Sequence, residues 1–206
     1  GPMSGCRITP WIAFLVALIV VAGCGKITND PPGDGPIVAF GDSLTAGTGA
    51  EDGGAYPDHL SKLLGEPVLN RGNSGDTTED GLKRLDRDVL SANPRIVIVW
   101  LGANDMLRQL PPANAVENLG RIVDAIQARG ALVALVGVPD LPFRPSVDDG
   151  VVRLAGEKSC LYISNPMSGI LTDPELKSDQ IHPNSKGYAL IAERIAKKVK
   201  KYAGRP

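Results

Sequence analysis

The sequence predicts an α/β fold, a three-layer α/β/α sandwich whose central layer is a five-stranded parallel sheet. Short apolar runs alternate along the chain with longer segments of helical periodicity, and this alternation is typical of a parallel sheet covered by helices. The run at residues 96–101 is apolar at every position, as expected for a central strand buried on both faces. With 206 residues, the chain is long enough for one well-buried core.

The elements follow from these patterns in order along the chain. The predicted strands are residues 37–40, 68–70, 96–101, 132–137 and 161–163. The predicted helices are residues 55–65, 78–91, 113–129, 148–157 and 185–202. In the last helix, apolar residues follow the i, i+3, i+4, i+7 spacing of a buried stripe, namely Tyr188, Ile191, Ala192, Ile195 and Val199. Asn114 is predicted to cap the third helix at its start, and Gly130 to end it.

Composition excludes several classes of function. The formal net charge of -1 gives no indication of nucleic-acid binding. The chain has two histidines and neither a His-Glu-x-x-His nor a Cys-x-x-Cys motif. We therefore expect no bound metal and no cofactor.

The first part of the chain has the pattern of an export signal. Gly1 and Pro2 are interpreted as a cloning remnant, and residues 3–23 as a signal peptide with an apolar run at 11–22. Small residues directly precede Cys24. This pattern resembles a bacterial lipoprotein signal, so we expect Cys24 to carry lipid. An uncleaved anchor and an ordinary signal peptide are the alternatives, although the run is short for a membrane span of about 20 residues.

Residues 24–36 are rich in Gly, Pro, Asp and Asn, which predicts a flexible tether ahead of a domain at 37–206. The protein would then be lipid-anchored in the bacterial cell envelope, at its periplasmic or outer surface. Cys160 would be the only free thiol of the mature domain, so no internal disulfide is expected. Its place at the start of a predicted strand indicates a buried, inert thiol.

Polar segments follow three of the predicted strands. Ser43 follows the first strand in Gly41-Asp42-Ser43-Leu44, Gly75 the second and Asn104 the third. In parallel sheets, functional sites form beyond the carboxyl ends of the strands. The backbone N–H groups of Ser43 and Gly75 and the amide of Asn104 are candidate donors to an oxyanion. A turn glycine and a loop-capping asparagine are the alternative interpretations.

A carboxylate and an imidazole lie three residues apart, just before the last helix. Asp179 can accept a hydrogen bond from His182 Nδ1–H, which leaves Nε2 free to face a serine. Capping of a local turn is an equally open interpretation of Asp179. The second histidine, His59, lies in the first predicted helix and is interpreted as a partly exposed helix residue.

Together these segments resemble the four blocks of the SGNH, or GDSL, hydrolase family. The blocks are Gly41-Asp42-Ser43-Leu44, Ser74-Gly75-Asp76-Thr77, Gly102-Ala103-Asn104-Asp105 and Asp179-Gln180-Ile181-His182-Pro183. The resemblance covers residues 37–203 and implies a parallel-sheet serine hydrolase. It assigns Ser43 as nucleophile, His182 as base and Asp179 as the residue that orients it. The oxyanion hole would be Ser43 N–H, Gly75 N–H and the Asn104 side chain.

Within this family the chain looks most like small bacterial esterases with thioesterase and lysophospholipase activities. This implies hydrolysis of short- to medium-chain acyl esters or lysophospholipids through an acyl-enzyme. A carbohydrate O-acetylesterase acting on envelope polysaccharide and a non-catalytic ligand-binding lipoprotein are the alternatives. Residues 160–177 match this group poorly, which leaves the acyl-chain preference open.

The loop after the fourth predicted strand is a candidate wall for an acyl pocket, because it is apolar and stiffened by proline. Its residues are Val138, Pro139, Leu141 and Phe143. Packing of this loop on the core is an equally open alternative.

Overall fold

The computed structural model of the protein describes residues 25–138 and 146–204. The strands are β1 (Ile37–Gly41), β2 (Val68–Gly72), β3 (Ile96–Trp100), β4 (Leu132–Val136) and β5 (Leu161–Ile163). The helices are α1 (Ser43–Ala46), α2 (Tyr56–Leu64), α3 (Thr78–Asp88), α4 (Ala103–Leu107), α5 (Pro112–Ala128), α6 (Asp148–Glu157) and α7 (Ser185–Ala203), with a 3-10 turn at Leu90–Ala92. The strands form one parallel sheet in the order β2-β1-β3-β4-β5. The predicted five-stranded parallel sheet is confirmed.

The central strands separate two cores. Ile96, Ile98 and Trp100 of β3 pack with side chains of α2 and α7. Val97 and Val99 of the same strand pack with side chains of α3, α5 and α6. Because successive side chains of a strand point to opposite faces, helices cover both sides of the sheet. This is the three-layer sandwich that the sequence predicts.

Helix α7 lies directly after the predicted Asp179–His182 turn and is firmly held. Its apolar stripe is fully buried, at 0% exposure for Tyr188, Ile191, Ala192, Ile195 and Val199. Its N-cap is Asn184, whose side-chain oxygen accepts the N–H of Gly187 at 3.1 Å. The buried stripe and the cap together fix the position at which the preceding turn meets the sheet.

Two helix boundaries differ from the prediction. Helix α5 begins at Pro112, so Asn114 lies inside the first turn and is not the N-cap. Proline suits this position because its fixed φ is helical and the first turn needs no N–H donor. The helix predicted over 78–91 is divided at Val89, where the backbone leaves the helical region, into α3 and the 3-10 turn. Gly130 follows α5 with a left-handed φ of 79°, as expected at a helix end.

The described part of the predicted tether, residues 25–36, is attached to the domain. The side-chain amide of Asn29 donates hydrogen bonds to the carbonyl oxygens of Gln127 at 3.0 Å and Ala131 at 2.9 Å. Both partners lie just before β4, at the amino edge of the sheet. The segment predicted as a flexible tether thus contacts the domain through the side chain of Asn29.

No helix within residues 25–138 or 146–204 is both long and apolar enough to cross a membrane. The predicted signal peptide at 3–23 and Cys24 lie outside the described residues. Cys160 is 6% exposed, and burial raises the pKa of its thiol to about 12. This thiol is therefore protonated near neutral pH, which agrees with the predicted inert core cysteine.

Candidate active site

The predicted triad and the predicted oxyanion donors meet beyond the carboxyl edge of the sheet. Ser43 follows β1, Gly75 lies in the loop after β2, and Asn104 lies in α4 after β3. These three strands are neighbours in the sheet, so the segments that follow them lie side by side. Asp179 and His182 reach the same place from the segment that precedes α7.

The chain turns sharply from β1 into α1 at Asp42 and Ser43. Asp42 is the N-cap of α1, and its carboxylate accepts the N–H of Leu44 at 3.0 Å. A Cβ on Gly41 would lie 2.5 Å from the carbonyl oxygen of Trp100, so only glycine permits this close approach of two backbones. The turn presents the Ser43 side chain at the edge of the sheet.

A tight turn holds Asp179 and His182 together. One carboxylate oxygen of Asp179 accepts the backbone N–H groups of Ile181 and His182, each at 2.8 Å. The other oxygen lies 2.8 Å from His182 Nδ1. The bond to the imidazole, helped by the backbone donors, lowers the pKa of Asp179 to about 2. Asp179 thus caps a local turn and also orients the imidazole, so the two interpretations of this residue hold together.

Ser43 and His182 are within hydrogen-bond distance, with Oγ 3.1 Å from Nε2. Because the ionised Asp179 accepts the proton on Nδ1, Nε2 is left as an acceptor for the serine hydroxyl. The side chain of His182 is 15% exposed and that of Asp179 is 52% exposed. The order Asp179, His182, Ser43 is the arrangement of an orienting carboxylate, a base and a nucleophile.

The three predicted oxyanion donors border the same space next to Ser43. Ser43 begins α1, so its N–H has no acceptor within the helix. Gly75 has a left-handed φ of 87°, which favours glycine. Asn104 Nδ2 donates to the carbonyl oxygen of Asp76 at 2.9 Å and lies 3.3 Å from a carboxylate oxygen of Asp42. These contacts hold the Asn104 amide at the border of the site.

Asp42 is a buried carboxyl beside this site, and its charge state was not anticipated from the sequence. It is 2% exposed, and burial raises its pKa to about 7. The N–H of Leu44 and the charge of His182 oppose this rise without cancelling it. The carboxyl therefore changes its charge near neutral pH, in contact with Asn104.

An apolar cavity of about 240 Å³ opens beside Ser43 and His182. Its apolar walls are Leu44, Leu107, Met167, Leu171 and Ile181. Leu107 and Ile181 remain 40% and 43% exposed, and exposed large apolar side chains that cluster mark binding surfaces. Sequence reasoning missed these walls. The signal for Ile181 was its apolar side chain within the polar turn that carries the triad.

The loop predicted as a cavity wall is described only at Val138. This residue is 2% exposed and packs in the core formed with α3, α5 and α6. Its backbone N–H donates to the carboxylate of Asp148 at 2.9 Å. Val138 is therefore a core residue and not a wall of the described cavity, which corrects that part of the prediction. Pro139, Leu141 and Phe143 lie outside the described residues.

The parallel sheet and the alignment of Asp179, His182 and Ser43 are those of a serine hydrolase. A sequence model of the GDSL-like Lipase/Acylhydrolase family matches residues 39–190, and the chain belongs to this family. The arylesterase of Vibrio mimicus is 30% identical over 177 residues, which cover 81% of this chain and 88% of the relative.

The thioesterase 1/protease 1/lysophospholipase L1 of Escherichia coli (strain K12) is 30% identical over 172 residues, covering 79% of this chain and 82% of the relative. The crystal structure of the psychrotrophic esterase EstA from Pseudoalteromonas sp. matches with a TM-score of 0.76 at 26% identity. This match covers 84% of this chain and 100% of the EstA chain. The protein is accordingly a carboxylic ester hydrolase, and esters are its substrates.

Proposed function

We propose that the protein hydrolyses carboxylic esters and thioesters through an acyl-enzyme on Ser43, with short- to medium-chain acyl esters or lysophospholipids as its substrates. The observation that carries the proposal is the apolar cavity of about 240 Å³ beside the aligned Ser43 and His182. This volume is below the roughly 300–1,000 Å³ of pockets that enclose drug-sized ligands. It suits an acyl chain of modest length better than a large head group.

In the proposed mechanism, His182 Nε2 takes the hydroxyl proton of Ser43 while Oγ attacks the acyl carbonyl carbon. The N–H groups of Ser43 and Gly75 and the amide of Asn104 donate to the oxygen that becomes negative, and one such donor is worth about 3–4 kcal/mol. His182 then gives its proton to the departing alcohol or thiol. Asp179 remains ionised and stabilises the imidazolium. A water molecule, deprotonated by His182, removes the acyl group in the same way.

A series of p-nitrophenyl esters from acetate to palmitate tests the proposal. We expect kcat/KM to rise up to about fourfold per added methylene, because burial of each is worth about 0.8 kcal/mol. The rise should stop once the cavity is filled. Ser43→Ala should abolish the activity, and activity that survives this change would refute the serine mechanism. Octanoyl-CoA and lysophosphatidylcholine, assayed alongside, test the thioester and lysophospholipid substrates.

An optimum at acetate followed by a steady decline would contradict the acyl-chain proposal. Release of acetate from acetylated polysaccharide would then support the carbohydrate O-acetylesterase alternative. Absence of activity on every ester would instead support the non-catalytic alternative.

We also propose that Cys24 carries lipid and holds the protein in the bacterial cell envelope. The support is the apolar run at 11–22 and the small residues directly before Cys24. The full chain and its Cys24→Ala variant should be expressed in a bacterial host and fractionated. We expect the parent protein in the membrane fraction, with a diacylglyceryl mass on its N-terminal peptide, and no such mass in the variant. An unmodified thiol at Cys24 would refute the proposal.

A further inference from the structure

A buried ion pair lies beneath the oxyanion donors. Arg84 of α3 is 9% exposed and Asp76 is 6% exposed, and Arg84 Nε lies 2.5 Å from Asp76 Oδ2. Charged side chains are rarely buried to this extent unless they are paired. A buried ion pair is weak support for a purely stabilising role, because desolvation offsets much of the attraction. The location of the Arg84–Asp76 pair, next to the segments that carry the oxyanion donors, therefore indicates a role in the site.

The guanidinium of Arg84 joins the carboxyl ends of two neighbouring strands. Nη2 donates to the carbonyl oxygen of Gly41 at 2.9 Å, at the end of β1. Nη1 donates to the carbonyl oxygen of Arg71 at 3.0 Å, near the end of β2. The guanidinium carbon also lies 4.4 Å from the ring centroid of Phe40. Arg84 thus fixes the positions at which the chain leaves both strands for the active site.

Asp76 extends these contacts to the other two donors. It directly follows Gly75, and its carboxylate accepts the side-chain N–H of Asn73 at 2.6 Å within the same loop. Its carbonyl oxygen accepts the Asn104 amide at 2.9 Å. Through Gly41 and Asp76, Arg84 is therefore connected to the segments that carry all three donors.

We propose that Arg84 is a positioning residue for the oxyanion hole. The inference rests on the proposed roles of Ser43, Gly75 and Asn104. Oxyanion donors are effective because they are held in place before charge develops, and displacements of about 1 Å can cost 10²-fold in rate. The planar fork of Arg84 donates at once to the carboxylates of Asp76 and Asp88 and to the two strand-end carbonyl oxygens, which the single ammonium of lysine does not. Arg84→Lys keeps the charge beside Asp76 and loses this fork.

The test compares Arg84→Lys with Arg87→Lys, an exposed arginine on the same helix. For Arg84→Lys we expect kcat on p-nitrophenyl butyrate to fall about 10- to 100-fold, with KM changed less than about threefold because the apolar walls are untouched. Arg87→Lys should match the parent protein. Thermal unfolding confirms that each variant is folded at the assay temperature. A folded Arg84→Lys with kcat within twofold of the parent overturns the proposal.

A double-mutant cycle with Asn104→Ala separates positioning from a general structural effect. Asn104→Ala alone should lower kcat about 10²- to 10³-fold. If Arg84 acts through the oxyanion hole, the cost of Arg84→Lys should be at least about threefold smaller in the Asn104→Ala background. If the fold-reductions in kcat of the two single variants simply multiply in the double variant, the proposal for Arg84 is wrong and the proposed function of the site still stands. An Asn104→Ala variant of full activity would overturn both.

Discussion

At the scale of single residues, Asp179 is connected to Ser43 only through the imidazole of His182. Asparagine at 179 keeps an oxygen for the backbone donors but places an amide N–H2 opposite His182 Nδ1. The ring proton then moves to Nε2, which no longer accepts the Ser43 proton. We expect Asp179→Asn to lower kcat on the order of 10³- to 10⁴-fold. The exposed Asp52→Asn is the control in the same ester assay, and a fall below tenfold for Asp179→Asn would contradict the proposed role.

A second residue, Asp42, makes folding stability depend on pH. Its pKa is about 7 in the folded protein because of burial, against 3.8 for an exposed carboxyl. Between these two values the folded state holds a proton that the unfolded state has lost. The contribution of the Asp42 carboxyl to the free energy of unfolding is therefore greatest at low pH. It declines by about 1.4 kcal/mol per pH unit as the pH rises toward 7. Above pH 7 both states are ionised and the contribution is level.

Urea unfolding at pH 5, 6, 7 and 8 measures this dependence. The free energy of unfolding should be compared between the parent protein and Asp42→Asn, which has no charge to titrate. We expect the parent protein to lose about 3 kcal/mol of stability relative to Asp42→Asn between pH 5 and pH 8. The exposed Asp52→Asn should run parallel to the parent. Parallel curves for Asp42→Asn would show that Asp42 titrates normally.

At the scale of elements, what sequence predicts depends on how local the signal is. The strand β3 and the helix α7 have strong patterns, and the structure places both within a residue of their predicted ends. The short helices α1 and α4, of four and five residues, were not predicted because they are too short to show a period. The motif residues of the site could be located because three of the motifs follow strands closely and the fourth, with Asp179 and His182, lies just before α7.

Non-local packing explains what sequence reasoning did not find. Leu107 lies just outside the motif at residues 102–105 and Met167 comes from a segment with no motif, and they line one cavity because α4 and the segment after β5 meet. Arg84 has the sequence pattern of a solvent-exposed helix residue. It is buried because Asp76 and the carbonyl oxygen of Gly41 come from two other segments to meet it.

The contribution of α4 to the cavity gives a prediction with a matched control. Leu107 and Leu110 are 40% and 39% exposed. Of these two residues, Leu107 lines the cavity beside Ser43 and Leu110 does not. We expect Leu107→Ser to lower kcat/KM for p-nitrophenyl octanoate about three- to tenfold, since each methylene that loses its apolar contact costs up to about 0.8 kcal/mol. The acetate ester should be little affected. Leu110→Ser should leave both esters unchanged, and equal effects of the two changes would remove Leu107 from the acyl site.

At the scale of the whole molecule, the active site and the attachment of Asn29 lie at opposite edges of the sheet. The active site lies beyond the carboxyl edge, whereas Asn29 is bound at the amino edge. Ile27 packs against the core only three residues after Cys24, a reach of about 10 Å. If Cys24 carries lipid as proposed, the amino edge faces the bilayer. The active site then lies more than a strand length, about 16 Å, farther out, where substrates arrive from the aqueous side.

The attachment of Asn29 can be tested without reference to the lipid. Its φ of 61° is left-handed, and its amide makes two hydrogen bonds to the domain. Asn29→Gly loses both bonds without strain and should lower the free energy of unfolding by about 1–3 kcal/mol. Asn29→Ala loses the same bonds and keeps a Cβ in the left-handed region, which alanine tolerates less well than asparagine, so it should cost about 1 kcal/mol more than Asn29→Gly. The exposed Asn114→Ala is the control in urea unfolding.

Activity provides the second measurement on the same variants. Because Asn29 lies at the edge opposite Ser43, we expect kcat on p-nitrophenyl butyrate to stay within twofold for both variants while both lose stability. Equal stability of Asn29→Gly and the parent protein would show that the segment is free in solution. A loss of activity in a folded variant would show instead that the amino edge is coupled to the active site, and the proposed separation of the two edges would be wrong.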